Sequence, residues 1–112
     1  MKFQIHDQEP DGKRVDLEGD LDFHSSPDLR HTLAKLVEAR PGKILFDLKK
    51  VPYIDSSGLA TFVELFQKIK RTGGRLVLYN LNPAVRSVFE IAKLDSIFHL
   101  AKDEKEALSL LA

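Results

Sequence analysis

Two segments near the start of the chain alternate between apolar and polar residues. The first reads KFQIH, with Phe3 and Ile5 on one side, and the second reads RVDLEGDL. Successive side chains of a strand point to opposite faces, so this alternation predicts two β-strands that each bury one face. The dipeptide Asp11-Gly12 between them favours a tight hairpin turn. We therefore expect the first two strands to be antiparallel neighbours.

Further along the chain, apolar residues recur at the three- and four-residue spacing of amphipathic helices. Ser26 followed by Pro27 predicts an N-cap and the start of the first helix, and Gly73-Gly74 predicts the end of the second. Shorter helices are predicted after Pro83 and after Asp103. The apolar stripe of the second helix consists of Leu59, Phe62, Val63, Phe66 and Ile69.

Three short β-rich runs separate these helices, namely KILFDL, RLVLYNL and IFHLA. The order of elements is therefore β-β-α-β-α-β-α-β-α. Each strand-helix-strand unit implies parallel pairing with a right-handed crossover, because a helix returns the chain to the start of the next strand. We predict a single α/β domain over residues 1–112, with an N-terminal hairpin, a mixed sheet of four to five strands and about four covering helices.

The composition narrows the classes of function. The 112 residues carry 17 basic and 17 acidic side chains, and the isoelectric point is near 6.9. This balance favours neither nucleic acid nor an anionic membrane as a partner. The apolar runs are too short to span a bilayer and the N-terminus lacks a signal-like apolar segment, so we expect a cytoplasmic protein. The absence of cysteine excludes disulfides and thiol catalysis, and the four histidines have no metal-ligand spacing.

Polar and small residues follow three of the predicted strands, in the loops 19–22, 53–58 and 79–83. The carboxyl ends of parallel strands meet at one edge of a sheet, where ligand-binding loops gather. The residues expected at this edge are Asp20, Asp22, Asp55, Ser56, Ser57, Gly58 and Asn82.

The segment YIDSSGL, at positions 53–59, has two interpretations. Aspartate and serine precede helices because their side-chain oxygens accept hydrogen bonds from unpaired backbone N–H groups, so the segment could be only a helix cap. Alternatively, a phosphate on a serine at this helix N-terminus would gain N–H donors and a favourable dipole, while Asp55 would repel it. Such a phosphate would make a small neutral surface strongly negative, which suits a switch that releases a partner.

Three segments together resemble the STAS domain of bacterial anti-sigma factor antagonists. EGDLDFHSS resembles the family's G-E-L-D segment, with Asp20 in place of the usual glutamate. FDLKKVPYIDSSGL resembles its strand-loop-helix signature, in which D-[ST]-[ST]-G-L follows a hydrophobic pair. GGRLVLYNLNPAVRSVFEIAKLDSIF resembles a third segment, in which a hydrophobic strand leads to P-x-V and a helix. The similarity runs through residues 3–111.

The resemblance implies a protein-binding module that is a phosphorylation substrate and not an enzyme. In the family the first hydroxyl residue after the aspartate accepts the phosphate, which corresponds to Ser56, and Ser57 is its structural neighbour. The kinase is a GHKL-type anti-sigma factor, so ATP and Mg²⁺ belong to the partner and this chain needs no cofactor. The unphosphorylated antagonist binds the anti-sigma factor and frees sigma. Phosphorylation breaks the complex, and a PP2C-like phosphatase restores it.

The second helix is expected to add to the partner-binding surface. Thr61, Glu64 and Lys68 lie away from its apolar stripe on a helical wheel, and Leu65 lies at the margin. We expect Thr61 and Leu65 to contact the partner, because they lie nearer the predicted edge. Lys68 fits a solvated helix face equally well.

Three other functions remain open at this point. In a receiver-like phosphoaspartate domain, Asp20 and Asp22 would hold Mg²⁺ and Asp55 would accept the phosphate, but the N-terminal hairpin fits such a domain poorly. A serine hydrolase would need a histidine base within reach of Ser56, and the chain lacks a G-x-S-x-G elbow. A STAS domain can also be part of a stressosome, a cytoplasmic part of an anion transporter or an accessory subunit of an ABC lipid transporter.

Overall fold

Five strands form one mixed sheet in the computed structural model, which describes residues 1–8 and 12–111. The strands are β1 (Lys2–Gln8), β2 (Gly12–Glu18), β3 (Lys43–Lys50), β4 (Arg75–Tyr79) and β5 (His99–Ala101). They lie in the order β1-β2-β3-β4-β5, with β1 antiparallel to β2 and every later pair parallel.

The helices found within the same residues are α1 (Ser26–Glu38), α2 (Ser56–Arg71), α3 (Pro83–Ile91) and α4 (Glu104–Leu111). The predicted α/β class, mixed sheet and covering helices are therefore confirmed. Asp11 of the predicted hairpin turn lies outside the described residues, although Gln8 and Gly12 are paired in antiparallel register. In the part of the chain that the structure describes, no helix combines the length and apolarity needed to cross a membrane.

Each face of the sheet buries its own set of side chains. Alternate residues of a strand point to opposite faces, so Phe46 and Leu78 join a large core with α1, α2 and α3. Leu45, Val77 and Tyr79 join a smaller core beneath α4. Both cores lie on the inner strands β3 and β4, which are apolar on both faces for this reason. The β-rich run RLVLYNL contains β4, which is buried on both faces.

One residue of the predicted buried face lies in solvent. Ile5 is 46% exposed, whereas its cross-strand partner Val15 is buried. β1 is an edge strand with β2 as its neighbour in the sheet. Sequence alternation assigned Ile5 to the correct side of the strand, but burial there also needs a helix overhead, and the helices cover the strands further in.

Candidate functional site

The loops that follow β2 and β3 lie side by side at the carboxyl edge of the sheet. Leu21 and Ile54 form an isolated parallel bridge beyond the ends of their strands. The N–H of Leu21 donates to the carbonyl oxygen of Tyr53 at 2.9 Å, and the N–H of Asp55 donates to that of Leu21 at 3.0 Å. These bonds hold the start of α2 against the loop between β2 and α1. The parallel topology therefore brings these two loops together as predicted.

Asn82 joins the third loop to this edge. Its Nδ2 donates to the carbonyl oxygens of Val51 at 3.4 Å and Pro52 at 3.3 Å. Its Oδ1 accepts a hydrogen bond from the N–H of Val85 at 2.7 Å and so caps α3. Asn82 thus lies beside the loop that leads to Ser56, with its side chain engaged in bracing that loop.

The first turn of α2 gives its polar residues different tasks. Asp55 is the N-cap, and its Oδ1 accepts hydrogen bonds from the N–H groups of Ser57 at 2.8 Å and Gly58 at 3.2 Å. Ser56 is the first helical residue and is exposed. Among the described residues, no hydrogen-bond partner is found for the Ser56 hydroxyl. Capping therefore accounts for Asp55, and it leaves the Ser56 oxygen free for chemistry.

The same geometry corrects one expectation about a phosphate at this helix start. Two of the backbone donors that were expected to receive it, the N–H groups of Ser57 and Gly58, are already bonded to Asp55. A phosphate on Ser56 would therefore lie beside a carboxylate without gaining those donors.

Gly58 allows α2 to approach the neighbouring loop. A Cβ atom at this position would lie 2.8 Å from the carbonyl oxygen of Leu21 and 2.9 Å from Cγ1 of Ile54. Contacts this short with backbone are relieved only if the helix moves away. Glycine therefore sets the position of the Ser56 hydroxyl relative to the loop after β2.

Asp22 organises the loop between β2 and α1. Its Oδ1 accepts hydrogen bonds from the N–H groups of His24 and Ser25, both at 3.0 Å. The Ser25 bond is the main reason that the pKa of Asp22 lies below its usual value. The side chain is thus committed to its own turn, while Asp20 is exposed. The N-cap of α1 is Ser25 and not Ser26 as predicted, because the N–H of Leu29 already donates to the carbonyl oxygen of Ser25 at 3.1 Å, which makes Ser26 the first helical residue.

Thr61 and Leu65 do not lie on the partner-facing surface, and the prediction that they do is wrong. They are only 2% and 3% exposed, because α1 packs alongside α2 and covers this side of the helix. Oγ1 of Thr61 donates to the carbonyl oxygen of Ser57 at 2.9 Å, which satisfies its hydroxyl within the helix. Glu64 lies further out, and its contacts with Lys68 and Arg30 lower its pKa.

Two aromatic residues at this edge were absent from the sequence prediction. Phe23 in the loop after β2 is 63% exposed, and Tyr53 in the loop after β3 is 53% exposed. Phe23 occupies an otherwise polar segment, and Tyr53 follows Pro52 in the loop that leads to Ser56. That placement is the signal that could have identified them, since a large apolar residue in a loop does not belong to the buried face of a strand or helix.

The side-chain arrangement gives no support to the two enzymatic or metal-dependent alternatives. Across residues 1–8 and 12–111, no three histidine or acidic side chains come close enough to hold a metal ion. Asp22 and Asp55, which a receiver-like site would use, each cap a separate turn. The ring of His24 stacks against Phe23 with 4.1 Å between centroids.

The family model for the STAS domain matches residues 5–107 of the chain. The chain belongs to the STAS domain family. This STAS domain is 38% identical over 92 residues to the anti-sigma-B factor antagonist of Bacillus subtilis (strain 168). The aligned region covers 81% of this chain and 84% of that protein.

Solved structures show the same fold. The crystal structure of an anti-sigma factor antagonist from Mycobacterium paratuberculosis superposes with a TM-score of 0.90 at 23% identity, covering 98% of this STAS domain and 92% of that chain. The phosphorylated form of the Bacillus cell fate determinant SpoIIAA has a TM-score of 0.74 at 23% identity, covering 99% and 100% of the two chains. At this level of identity the two structures establish the fold.

Proposed function

We propose that this STAS domain is an anti-sigma factor antagonist switched by reversible phosphorylation of Ser56. The observation that carries the proposal is the exposed hydroxyl of Ser56, which has no hydrogen-bond partner among the described residues and lies at the first position of α2, directly after the N-cap Asp55. The similarity to a B. subtilis protein named as an anti-sigma-B factor antagonist supports the class of partner.

The proposed cycle has two states. The unphosphorylated domain binds a GHKL-type anti-sigma factor, which is also the serine kinase, and sigma is released. Transfer of the γ-phosphoryl group from the kinase's ATP to the Ser56 oxygen, with loss of the hydroxyl proton, breaks the complex. A PP2C-like phosphatase hydrolyses the ester and resets the cycle. ATP and Mg²⁺ belong to the partners, and such a cycle operates in the cytoplasm, where ATP is available.

Magnitudes explain why the complex and not the fold would respond to the phosphate. The modification adds roughly 1.5 to 2 negative charges at neutral pH. On an exposed surface such charges interact by only about 0–1 kcal/mol with their neighbours. Removing an ion from water into an interface costs on the order of several kcal/mol. A phosphate on Ser56 therefore has a small effect on the free domain and a large one on a partner that covers it.

The decisive experiment uses the purified anti-sigma factor kinase of the same organism with ATP and magnesium. Mass spectrometry of digests of the wild type, Ser56→Ala and the control Ser57→Ala should show one phosphate on the first and third proteins only. The Ser57 variant keeps both backbone groups that bond to Asp55 and Thr61. Undiminished phosphorylation of Ser56→Ala would contradict the proposal that Ser56 is the phosphorylated residue.

A further inference from the structure

Two large aromatic side chains are exposed on the pair of bridged loops, one of which leads to the proposed phosphorylation site. Phe23 and Tyr53 lie on the two loops that the Leu21–Ile54 bridge joins, and Tyr53 precedes Ser56 by three residues. More than half of the surface of each of these two residues is exposed. Aromatic residues in this position are the type most often found at the energetic centre of protein interfaces.

The turn that carries Phe23 is fixed from both sides. Besides the carboxylate of Asp22, which bonds to the two following N–H groups, Oγ of Ser25 donates to the carbonyl oxygen of Asp20 at 2.7 Å. Oγ of Ser26 donates to the carbonyl oxygen of Asp22 at 2.6 Å. A residue at the tip of such a turn loses little backbone freedom when it binds, so the backbone that presents the ring of Phe23 is preorganised.

The backbone around Tyr53 is fixed in the same way. Its carbonyl oxygen accepts the N–H of Leu21, and the carbonyl oxygen of the preceding Pro52 accepts Nδ2 of Asn82. No part of this bracing involves the phenol ring, which leaves the ring available to a partner. Both aromatics are therefore presented by rigid loops, although neither belongs to the core.

Charge around these rings indicates the chemistry of the partner surface. The stretches 20–28 and 51–60 contain no lysine or arginine, and Lys49 and Lys50, just before the second stretch, each lie 3.7 Å from a carboxylate, on Asp47 and Glu18 respectively. Their acidic residues are Asp20, Asp22, Asp28 and Asp55. A surface with two apolar projections and an acidic rim is complementary to an apolar recess bordered by basic side chains.

We propose that Phe23 and Tyr53 are the apolar anchors by which this domain binds its kinase partner, whose docking site is an apolar recess with a basic rim. The inference rests on the function proposed above and adds the residues that hold the complex together. It also accounts for the switch. Ser56 follows Tyr53 by three residues, and the bridge between Leu21 and Ile54 joins its loop to the one that carries Phe23. A partner that covers both anchors therefore covers Ser56 as well, in a water-poor contact where a phosphate is disfavoured by desolvation and by Asp55.

The rim and the anchors act on different properties of binding. Exposed aspartates accelerate association with a basic partner in a salt-dependent way, whereas buried anchors control the lifetime of the complex. A phosphate at the centre can therefore weaken binding even though it adds to the negative charge that attracts the partner from a distance.

The test is isothermal titration calorimetry of the unphosphorylated domain with the purified kinase and ADP. Phe23→Ala and Tyr53→Ala should each weaken binding roughly 30-fold or more, the effect expected of an interface hot spot. Tyr53→Phe keeps the ring and should bind as the wild type does. Ile91→Ala is the matched control, because Ile91 is 83% exposed but ends α3, which runs back toward the amino edge of the sheet.

The outcomes separate this inference from the proposed function. Wild-type affinity of both alanine variants, with Ser56 still phosphorylated, would overturn the anchors and leave the switch intact. A kinase that fails to phosphorylate wild-type Ser56 would overturn the proposed function itself. Equal losses in Ile91→Ala would also overturn the anchors, because the effect would then not depend on the Ser56 edge. Thermal midpoints of all variants should match, since the replaced side chains are exposed.

Discussion

The carboxylate of Asp55 accepts a hydrogen bond from the backbone N–H of Ser57 at 2.8 Å, and the side chain of Ser56, the residue between them, takes no part in this bond. This relationship leaves the Ser56 hydroxyl without a structural task. An N-cap of this kind stabilises a helix by about 1 kcal/mol relative to alanine. We therefore expect Asp55→Ala to lower the free energy of unfolding by about 0.5–2 kcal/mol in urea denaturation. Asp55→Asn keeps the accepting oxygen and should lose less, and an equal loss in both variants would contradict the capping role.

Ser56→Asp should weaken binding to the kinase at least about tenfold, because even one charge must be desolvated at the interface. The free energy of unfolding should change by less than about 0.5 kcal/mol, since Ser56 is exposed. Calorimetric titration and urea denaturation measure the two quantities separately. Ser57→Asp is the positional control, and unchanged affinity of Ser56→Asp would argue against the electrostatic account.

Gly58→Ala should destabilise the domain by about 1–3 kcal/mol, although alanine is the better helix former. The added Cβ would meet the carbonyl oxygen of Leu21 at 2.8 Å. The sign of the change is the test, because helix propensity alone predicts an increase in stability. Ser57→Ala, one residue earlier, should change the urea midpoint little.

Leu65→Ala should lower the free energy of unfolding by about 2–5 kcal/mol, as expected for a buried leucine. Its side chain lies between α2 and α1, with 3% exposure. Lys68→Ala, on the same helix, should cost less than about 0.5 kcal/mol. Urea denaturation of both variants tests whether Leu65 is a core residue. If Leu65 were the surface residue that the sequence suggested, its replacement would leave the free energy of unfolding unchanged.

Asp22 should make stability depend on pH at the acidic end. The pKa of its carboxyl in the folded state lies below the usual 3.8, mainly because the N–H of Ser25 bonds to the ionised form. A depressed pKa contributes stability that is present above the unfolded-state value and is lost as pH falls through the folded-state value. Thermal midpoints of the wild type should therefore fall faster below about pH 4 than those of Asp22→Asn. Parallel midpoint curves for the two proteins would exclude this contribution, and carbon NMR of the carboxyl gives its pKa directly.

The helix stripe and the burial of individual residues are separate properties. The stripe from Leu59 to Ile69 predicted the inward side of α2, yet Thr61 and Leu65 are also buried. A helical wheel shows direction relative to one neighbour, which here is the sheet. The second neighbour, α1, comes from a distant part of the sequence, and the width of the buried side depends on where it packs.

The exposure of Phe23 and Tyr53 is a property that no sequence pattern predicts. Phe23 and Tyr53 have the composition of core residues, and neither fits a strand or helix pattern. Loops carry no periodicity from which direction can be read. The hydrogen bonds of Asp22 and Asn82 fix these loops in three dimensions, and the exposure of the two rings is seen only in the folded structure.

The sequence by itself determined the order of elements, the parallel arrangement of the later strands and the edge at which residues 20–22 and 53–58 meet. These properties depend on local periodicity and on the handedness of short connections, both of which the chain carries within a few tens of residues. Only the tertiary structure decided that Ile5 is exposed and that Thr61 and Leu65 are covered. It also decided that, within residues 1–8 and 12–111, the Ser56 hydroxyl has no hydrogen-bond partner while its neighbours are bonded. Each of these depends on which distant atoms come within contact distance, and that is settled by how α1, α2 and the sheet pack together.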